Sequence, residues 1–459
     1  MDSPIAPATR WRDEVFVLSR LALPAIISQV GLVLMGVVDV VLVGALGADA
    51  LAGVGIGHAY GWGSVIVVLG VVLGLDPMLT QAVGARKPEA AGEAFVQGTA
   101  FGLLLSVPVA FAWAFAEPVL LALGQPPIVA TGAADYCRAL LPGLPALILF
   151  STLRQFLQAW GDMSTVTAVI LIANVVNGVL AWALIGGHLG APALGITGAG
   201  LATALVRIGM AVALWLLARP RLRSARPRLS SISPPALLSL AKLTLPVGLQ
   251  IGLEVWAFNA GSFMAGWISA TAVAAHTVAL NATSLSFMVA LGLSQAGATR
   301  VGNLIGAGHP WRVTANTALL LTVIGELPAA LLFTLLPLAA AAFYTHDPAV
   351  LGLAVSVLPL AGAFQVFDGL QAVLFGLLRG AGDTRVPALA NIVGYWLIGL
   401  PLGGLLAFGA GWGLAGIWVG FLVALGTVAT LLFWRIRHVI VDPVVPTSTV
   451  LECAADTLP

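Results

Sequence analysis

The sequence predicts an all-α polytopic membrane protein, with twelve transmembrane helices in two pseudo-symmetric six-helix lobes. Three observations predict this fold. The 459-residue chain is 59% hydrophobic and only 8% charged, with a mean hydropathy of +1.03, whereas soluble domains carry about 25% charged residues. Its apolar segments are continuous rather than alternating, which favours helices over a β-barrel. Motifs near the start of the chain also recur in its second half.

Apolar runs long enough to cross a bilayer, separated by Gly, Pro and polar residues, predict the individual spans. A polar stretch with Arg10 and Arg12 precedes the first run, which is too long for a signal-peptide core, so we interpret it as an uncleaved span. The twelve predicted spans are residues 17–44, 51–78, 93–116, 133–158, 164–188, 194–218, 237–266, 271–299, 313–342, 349–378, 386–409 and 413–436.

Lysine and arginine concentrate at one end of these spans, which predicts that this end is cytoplasmic. The opposite loops hold mainly acids, with only Arg138 near them. We therefore expect a multi-pass protein of the bacterial inner membrane with both termini in the cytoplasm. Arg207 is the exception within a span, and we interpret it as structural, either extending to the interface or paired with an acid. The basic end carries Arg20, Arg86, Lys87, Arg154, Arg219, Arg221, Arg223, Arg226, Arg228, Lys242, Arg300, Arg312, Arg379, Arg385, Arg435 and Arg437.

A repeat relates the two halves of the chain. Residues 21–24 recur as 243–246, and residues 84–88 recur as 306–310, both at an offset of 222 residues. Each half then holds six spans, and an even number returns the chain to the same side. The halves should therefore be related by an axis along the membrane normal, with a site between them near the midplane.

The Arg- and Pro-rich link from Arg219 to Pro235 marks the predicted lobe boundary. We predict an N-lobe over residues 1–230 and a C-lobe, with a cytoplasmic tail, over residues 231–459. Most of the 53 glycines are expected to allow close helix packing.

Carboxylates inside spans are the first candidates for function. A charge in the hydrocarbon region is costly, so such an acid should face a cavity, hold a proton or pair with a base. Glu254 in the seventh span and Asp368 in the tenth favour function over a structural pair, and Asp39 in the first does so less strongly. For Glu326 and Asp76 a structural role is at least as favoured.

Helical spacing joins two of these acids to amides and rings. Gln250, Glu254 and Phe258 fall on one helical stripe, and Asp368 lies on another. A buried acid beside aromatic rings suits a lipophilic cation through charge and cation–π contact. The predicted substrate cavity is lined by Gln250, Phe258, Phe364, Phe367, Gln371, Asn174 and Asn177.

Several functions are disfavoured by what the sequence lacks. Neither lysine, Lys87 or Lys242, stands in a phosphate-binding loop, so the chain should not use ATP. Cys137 and Cys453 match no metal or redox spacing. The motif Gly380–Asp383 is similar to the Gly-x-Gly-Asp of intramembrane aspartyl proteases. It lies at a predicted helix end, however, where a Gly-Asp turn is better explained by capping, so we do not expect an enzyme.

Over roughly residues 15–437 the chain resembles the multidrug and toxic compound extrusion (MATE) family of secondary transporters, in particular its NorM-like branch. The resemblance implies a V-shaped pair of six-helix lobes that export lipophilic cations in exchange for Na⁺ or H⁺, with no other cofactor. It rests on the six-plus-six layout and on residues 21–24, Asp39, 84–88, 306–310, Glu254, Asp368 and 378–384.

The resemblance also implies roles for single residues. Glu254 and Asp368 match cation-site acids of the NorM-like branch, and Asp39 matches an acid tied to coupling. The related DinF-like branch carries an acid four residues after the asparagine that Asn177 matches. Ala181 occupies that place here, so a proton site of two acids in the N-lobe is not expected. Arg207 is unusual for the sixth span of a drug exporter.

Two other transporter types stay open at this stage. A major facilitator would carry an Asp-Arg pair within residues 80–87, and this chain lacks it. A lipid-linked oligosaccharide flippase should have more basic residues in its cavity than Arg207 alone. We expect a monomer whose partners are small lipophilic cations and the lipid bilayer, with no nucleic acid.

Overall fold

The computed structural model describes residues 11–441 of the chain. Within that range the regular elements are helices, and no β-strand occurs. Among the described residues, eleven helices are long and apolar enough to cross a membrane. The pair Pro127–Leu140 and Gly143–Ala159, bent by 56°, makes a twelfth span. The predicted twelve-helix fold is therefore confirmed, while Arg10 and Cys453 lie outside the described residues.

We number the spans in chain order. Helix α2 has a turn after Leu73 and resumes at Asp76, and α11 includes the π-helical segments Ile392–Gly399 and Leu405–Gly409. The spans are α1 Trp11–Gly44, α2 Ala48–Gly84, α3 Pro88–Ala114, α4 Pro127–Leu140 with Gly143–Ala159, α5 Met163–Gly186, α6 Gly195–Ala225, α7 Pro234–Ile268, α8 Ala270–Gly306, α9 Arg312–Leu335, α10 Pro348–Gly380, α11 Arg385–Gly409 and α12 Leu414–Ile440. We call the end of the bundle where α6 ends and α7 begins the Arg-rich end.

Some helix bounds differ from the predicted spans. Helix α6 continues through Pro220 to Ala225, beyond the predicted end at residue 218, because its polar last turns remain helical outside the apolar run. The predicted ninth span, 313–342, is divided. Helix α9 ends at Leu335, and Pro337–Ala342 forms a separate short helix, because proline lacks the N–H that a continuing helix requires.

The two Gly-Asp turns cap helices, as the sequence predicts. Gly161 and Gly382 have φ of 75° and 87°, a left-handed conformation that favours glycine. Asp162 accepts the Thr165 N–H at the start of α5, and Asp383 accepts the Val386 N–H in α11. Each carboxylate also pairs with an arginine at the end of its own lobe, Asp162 with Arg221 (2.7 Å) and Asp383 with Arg435 (2.6 Å).

Buried apolar residues form two clusters, one for each half of the chain. Helix α1 contributes to both, with Met35 and Val43 in the first cluster and Leu18 and Leu21 in the second. Leu240 of α7 belongs to the first cluster in the same way. The first turns of α1 therefore pack in the core of the second half, and the first turns of α7 pack in the core of the first half.

Repeated glycines let the halves approach at the Arg-rich end. A Cβ atom at Gly84 would overlap the backbone of Asn303, and one at Gly306 would overlap the backbone of Gln81. Gln81 and Gly84 stand 222 residues before Asn303 and Gly306. The glycines of the repeat are thus required for close contact between α2 and α8, as small residues are at other membrane helix interfaces.

Candidate functional site

Glu254 connects three helices of the C-lobe. Its Oε2 accepts hydrogen bonds from Gln371 Nε2 on α10 (3.2 Å) and from Asn391 Nδ2 on α11 (3.0 Å). Gln371, one of the predicted cavity residues, is therefore in direct contact with Glu254. Asn391 was not predicted, because the eleventh span carries no acid that would have drawn attention to it. It stands immediately before the π-helical segment of α11, and π-bulges often occur at functional sites.

Asp368 is a second acid in this part of the C-lobe. It is 5% exposed, and its Oδ1 has no hydrogen-bond partner among the described residues. The charges of Glu254 and Glu326 both act on it. Glu326 is fully buried, accepts a hydrogen bond from Gln365 Nε2 (2.9 Å) and keeps Oε1 without a partner in the described chain. Glu326 thus forms no ion pair in the described structure, although the sequence favoured a structural pair at least as much as function.

Aromatic rings surround this part of the C-lobe. Phe258 packs against Phe364 (6.0 Å between centroids), Tyr395 (5.6 Å) and Phe421 (5.2 Å). Phe364 is 1% exposed and so belongs to the packed ring cluster, while Phe367 is 39% exposed. Of the three predicted cavity rings, Phe258 and Phe364 therefore belong to the packed cluster, while Phe367 lies in more exposed surroundings.

Several buried polar atoms near these rings have no partner within residues 11–441. They include both side-chain atoms of Gln250 and both ring nitrogens of His276, which faces Phe421. His276 and Tyr395 were not predicted, since a lone buried histidine or tyrosine gives no periodic signal. Orphaned polar atoms in a membrane interior mark a place where an ion, water or substrate can bind.

The C-lobe acids do not form a conventional metal cluster. No group of three His, Cys, Asp or Glu residues in the described range could hold a metal ion. Three oxygens of this region have no hydrogen-bond partner among the described residues, and they are of mixed type, the amide oxygens of Gln371 and Asn391 and Oδ1 of Asp368. Oxygen ligands of this kind suit a hard cation such as Na⁺, and the carboxylates equally suit a proton.

Asp39 in the N-lobe is fully hydrogen-bonded. It is 3% exposed, its Oδ1 accepts from Asn177 Nδ2 (2.7 Å) and its Oδ2 accepts from Thr203 Oγ1 (2.7 Å). Asn174, the other predicted amide, instead donates to the carbonyl oxygen of Ile170 in its own helix (2.9 Å). Asn177 and Asn174 therefore have different roles, although their spacing placed them together.

Arg207 lies one turn beyond Thr203 in α6. Its charge acts on Asp39, yet the two side chains form no ion pair in the described structure, and Nη1 of Arg207 has no hydrogen-bond partner there. Arg207 lines a cavity of about 20 Å³ with Trp113 and Tyr136. A volume of this size holds about one water molecule. Of the two alternatives given for Arg207, extension to the interface or pairing with an acid, the ion pair is thus not found within the described residues.

Two buried ion pairs join the lobes at the Arg-rich end. Arg300 of α8 donates to Glu14 of α1 (2.8 Å), and Arg379 of α10 donates to Asp76 of α2 (2.9 Å). All four side chains are 1% exposed. Asp76 also accepts from Gln155 Nε2 (2.8 Å), which accords with its structural interpretation. In both pairs the acid comes from the N-lobe and the base from the C-lobe.

The comparison with protein families agrees with the repeat. The family model described as MatE matches residues 24–183 and, 222 residues further on, residues 246–405.

Curated relatives match nearly the whole chain. A probable multidrug resistance protein NorM from Mesorhizobium japonicum is 37% identical over 443 residues, which are 94% of this chain and 95% of the relative. A multidrug resistance protein NorM from Burkholderia vietnamiensis is 38% identical over 431 residues, 91% of this chain and 92% of the relative.

Solved structures show the same fold. The crystal structure of the eukaryotic MATE transporter AtDTX14 superposes with a TM-score of 0.84 at 25% identity and covers 93% of this chain and 96% of its own. An outward-facing multidrug resistance MATE family transporter of the MOP superfamily also gives 0.84, at 21% identity, and covers 94% of this chain and 96% of its own. With its fold shared with these structures and its two halves both matched by the family model, the chain belongs to the MatE family.

Proposed function

We propose that this chain is a secondary active multidrug exporter, acting as a monomer, that moves lipophilic cationic compounds out of the cell in exchange for Na⁺ or H⁺. The observation that carries the proposal is the group of C-lobe acids Glu254, Glu326 and Asp368. They lie beside amides and aromatic rings and have no basic partner in the described structure. Membership of the MatE family argues against the facilitator, flippase and protease alternatives.

The acids suit reversible ion binding. Like charges brought together in a region of low dielectric constant repel one another and lose hydration, so uptake of a cation or proton is favoured. Glu254 and Asp368 would form the ion site, with Gln371 and Asn391 offering further oxygen ligands to Na⁺. Asp39 remains a separate acid in the N-lobe.

Coupling then needs only different affinities in two conformations. The ion would bind better to the state that releases drug to the outside, and the drug would bind better to the ion-free state. Binding of each then promotes release of the other from the protein. One charge that crosses 100 mV supplies about 2.3 kcal/mol. The chemical gradient of the ion adds to this.

Alternating access would be a movement of the proposed lobes, residues 1–230 and 231–459, about the site between them. The buried pairs Glu14–Arg300 and Asp76–Arg379 hold the lobes together at the Arg-rich end. Opening that end requires both pairs to separate. In this proposal the described conformation is the one closed at the Arg-rich end, and transport requires a second state in which α1 and α2 part from α8 and α10.

The proposed orientation places the Arg-rich end and both termini in the cytoplasm of a bacterium. Single cysteines at Ala48, Ala191 and Ala349, in a chain without Cys137 and Cys453, should react with a membrane-impermeant maleimide from outside whole cells. Reaction of these positions only from the inside would overturn the orientation.

The function itself is tested with purified protein in liposomes. Ethidium movement is followed by fluorescence while Na⁺ and H⁺ gradients are imposed separately. We expect transport driven by at least one gradient and its collapse when an ionophore removes that gradient. Transport of an anionic dye such as carboxyfluorescein, with no transport of ethidium, would contradict the proposal.

A further inference from the structure

A cavity of about 730 Å³ lies at the Arg-rich end of the N-lobe, apart from the acids described above. Phe95 of α3 and Trp215 of α6 line its apolar part. The basic residues that line it are Arg219, Arg223 and Arg226.

Two of these arginines form no ion pair within the described residues, whereas Arg226 pairs with Glu89 (3.3 Å). No acidic side chain of the described chain pairs with Arg219 or Arg223, whereas their neighbour Arg221 is paired with Asp162. The guanidinium of Arg219 lies over the ring of Trp215, 4.2 Å from its centroid. Stacking holds the guanidinium in place and leaves its in-plane N–H groups free for an oxyanion.

The surface of α6 leads from the hydrocarbon region into this cavity. Ile208, Val212, Trp215, Arg219 and Arg223 follow one another at three- and four-residue intervals, on one face of the helix. The first three are 37%, 50% and 44% exposed. Along this face, exposed aliphatic residues are followed by an aromatic residue and then by bases. This order matches the chemistry of a phospholipid, whose apolar acyl chains lead through the glycerol backbone to the anionic phosphate.

The walls of the cavity are fixed by contacts between α3 and the link that follows α6. A Cβ atom at Gly92 would overlap the backbone of Ala225, so α3 and the end of α6 are in direct contact. Gln97 Nε2 donates to the carbonyl oxygen of Ser231 in the link (3.1 Å). The link is therefore held against α3, and the cavity is a built feature of the fold.

We propose that this cavity binds the headgroup of an anionic phospholipid, whose phosphate lies between Arg219 and Arg223 and whose glycerol backbone lies at Trp215. The acyl chains follow Val212 and Ile208 along α6. A soluble phosphate would share the arginines but would make no use of the exposed aliphatic stripe. This inference does not depend on the proposed transport function.

The test measures lipid retained by the full chain. Protein is released from membranes of phosphatidylcholine and phosphatidylglycerol, and bound lipids are identified by native mass spectrometry. Arg219→Gln with Arg223→Gln should reduce retained phosphatidylglycerol roughly tenfold or more, since each arginine near a bilayer surface contributes substantially to anionic lipid binding. The matched control is Arg385→Gln with Arg437→Gln, which removes two exposed arginines of the C-lobe, one of them also stacked on a ring (4.4 Å). The control should retain wild-type lipid.

A second measurement locates the lipid. Phosphatidylglycerol with brominated acyl chains should quench a tryptophan signal that is lost in Trp215→Phe, and the Arg219→Gln, Arg223→Gln variant should weaken that quenching. Equal retention of phosphatidylglycerol and phosphatidylcholine by the wild type would overturn the proposal. Equal losses in the test and control variants would overturn it too, as would displacement of the lipid by equimolar glycerol phosphate.

Discussion

The two lobes both bury acids, but they satisfy them differently. Both oxygens of Asp39 in the N-lobe accept hydrogen bonds from protein side chains, and the charge of Arg207 acts on them. In the C-lobe, Asp368 Oδ1 and Glu326 Oε1 have no partner within the part of the chain that is described. A satisfied carboxylate has little to gain from a new ligand, whereas an unsatisfied one gains much. The difference therefore favours ion exchange in the C-lobe.

The strongest test of this comparison removes one acid from each lobe. Glu254→Gln and Asp368→Asn should each abolish ion-driven ethidium export, because the group that takes up the ion is lost. Asp39→Asn should leave measurable export with the same ion dependence, because Asn177 and Thr203 already occupy its oxygens. Transport rates in liposomes at equal protein content measure all three.

Size-exclusion profiles of the variants should match the wild type, which separates lost transport from lost folding. Wild-type rates in both C-lobe variants would show that the ion binds elsewhere. A switch of ion dependence in Asp39→Asn would move coupling into the N-lobe.

The ion pairs between the lobes allow a second comparison, between the stability lost when the acid is replaced and the stability lost when the base is replaced. Asp76→Asn leaves Arg379 buried without its counter-charge, which should destabilise the protein by about 3–5 kcal/mol. Arg379→Gln should destabilise it less, because Asp76 can accept a proton and keeps its bond from Gln155. Unfolding in detergent, followed by tryptophan fluorescence, measures both.

Arg138→Gln is the control for these variants, since it removes an arginine from an exposed ion pair. It should leave the unfolding midpoint unchanged. Equal stability of all three variants would mean that the buried pairs do not hold the lobes together.

Replacing a glycine of the repeat should cost similar stability in either lobe, whereas replacing a buried acid should have different effects in the two lobes. Gly84→Ala and Gly306→Ala each place a Cβ atom against the backbone of the other lobe and should destabilise by about 1–3 kcal/mol. Gly55→Ala, where nothing lies within 4 Å of the added atom, should be neutral or slightly stabilising. The thermal unfolding midpoints of the purified variants, compared with that of the wild type, measure these effects. A clear difference between the first two would argue against equivalent packing.

The smallest effect is expected from Glu326→Gln. Its Oε2 already accepts a hydrogen bond from Gln365, and a glutamine can keep that bond. We expect export to fall by less than about tenfold, which corresponds to less than about 1.4 kcal/mol. Complete loss of export in this variant, with normal folding, would place the ion site at α9 rather than between α7 and α10.

The sequence predicted the fold well because a bilayer imposes length and polarity on every span. It also indicated Glu254 and Gln371 as candidate site residues, because an acid or an amide is conspicuous in an apolar span, but it did not predict the hydrogen bond between them. It could not predict that Glu14 pairs with Arg300, 286 positions further on, because charged side chains are common at the ends of membrane spans and give no sign of their partners. Nor did it indicate Asn391, whose neighbours are almost entirely apolar.

The contacts of Gly84 and Gly306 with the opposite half also bear on how such a chain is constrained. Gly84 meets Asn303 while Gly306 meets Gln81, and each contact becomes the other when the halves are exchanged. This reciprocity is the defining property of an isologous interface between two identical subunits. One polypeptide therefore carries a dimer-like seam within itself. The acids and cavities of each half can be substituted independently of the other half. At this seam, however, a larger residue in one half requires a compensating change in the residues of the other half that it contacts.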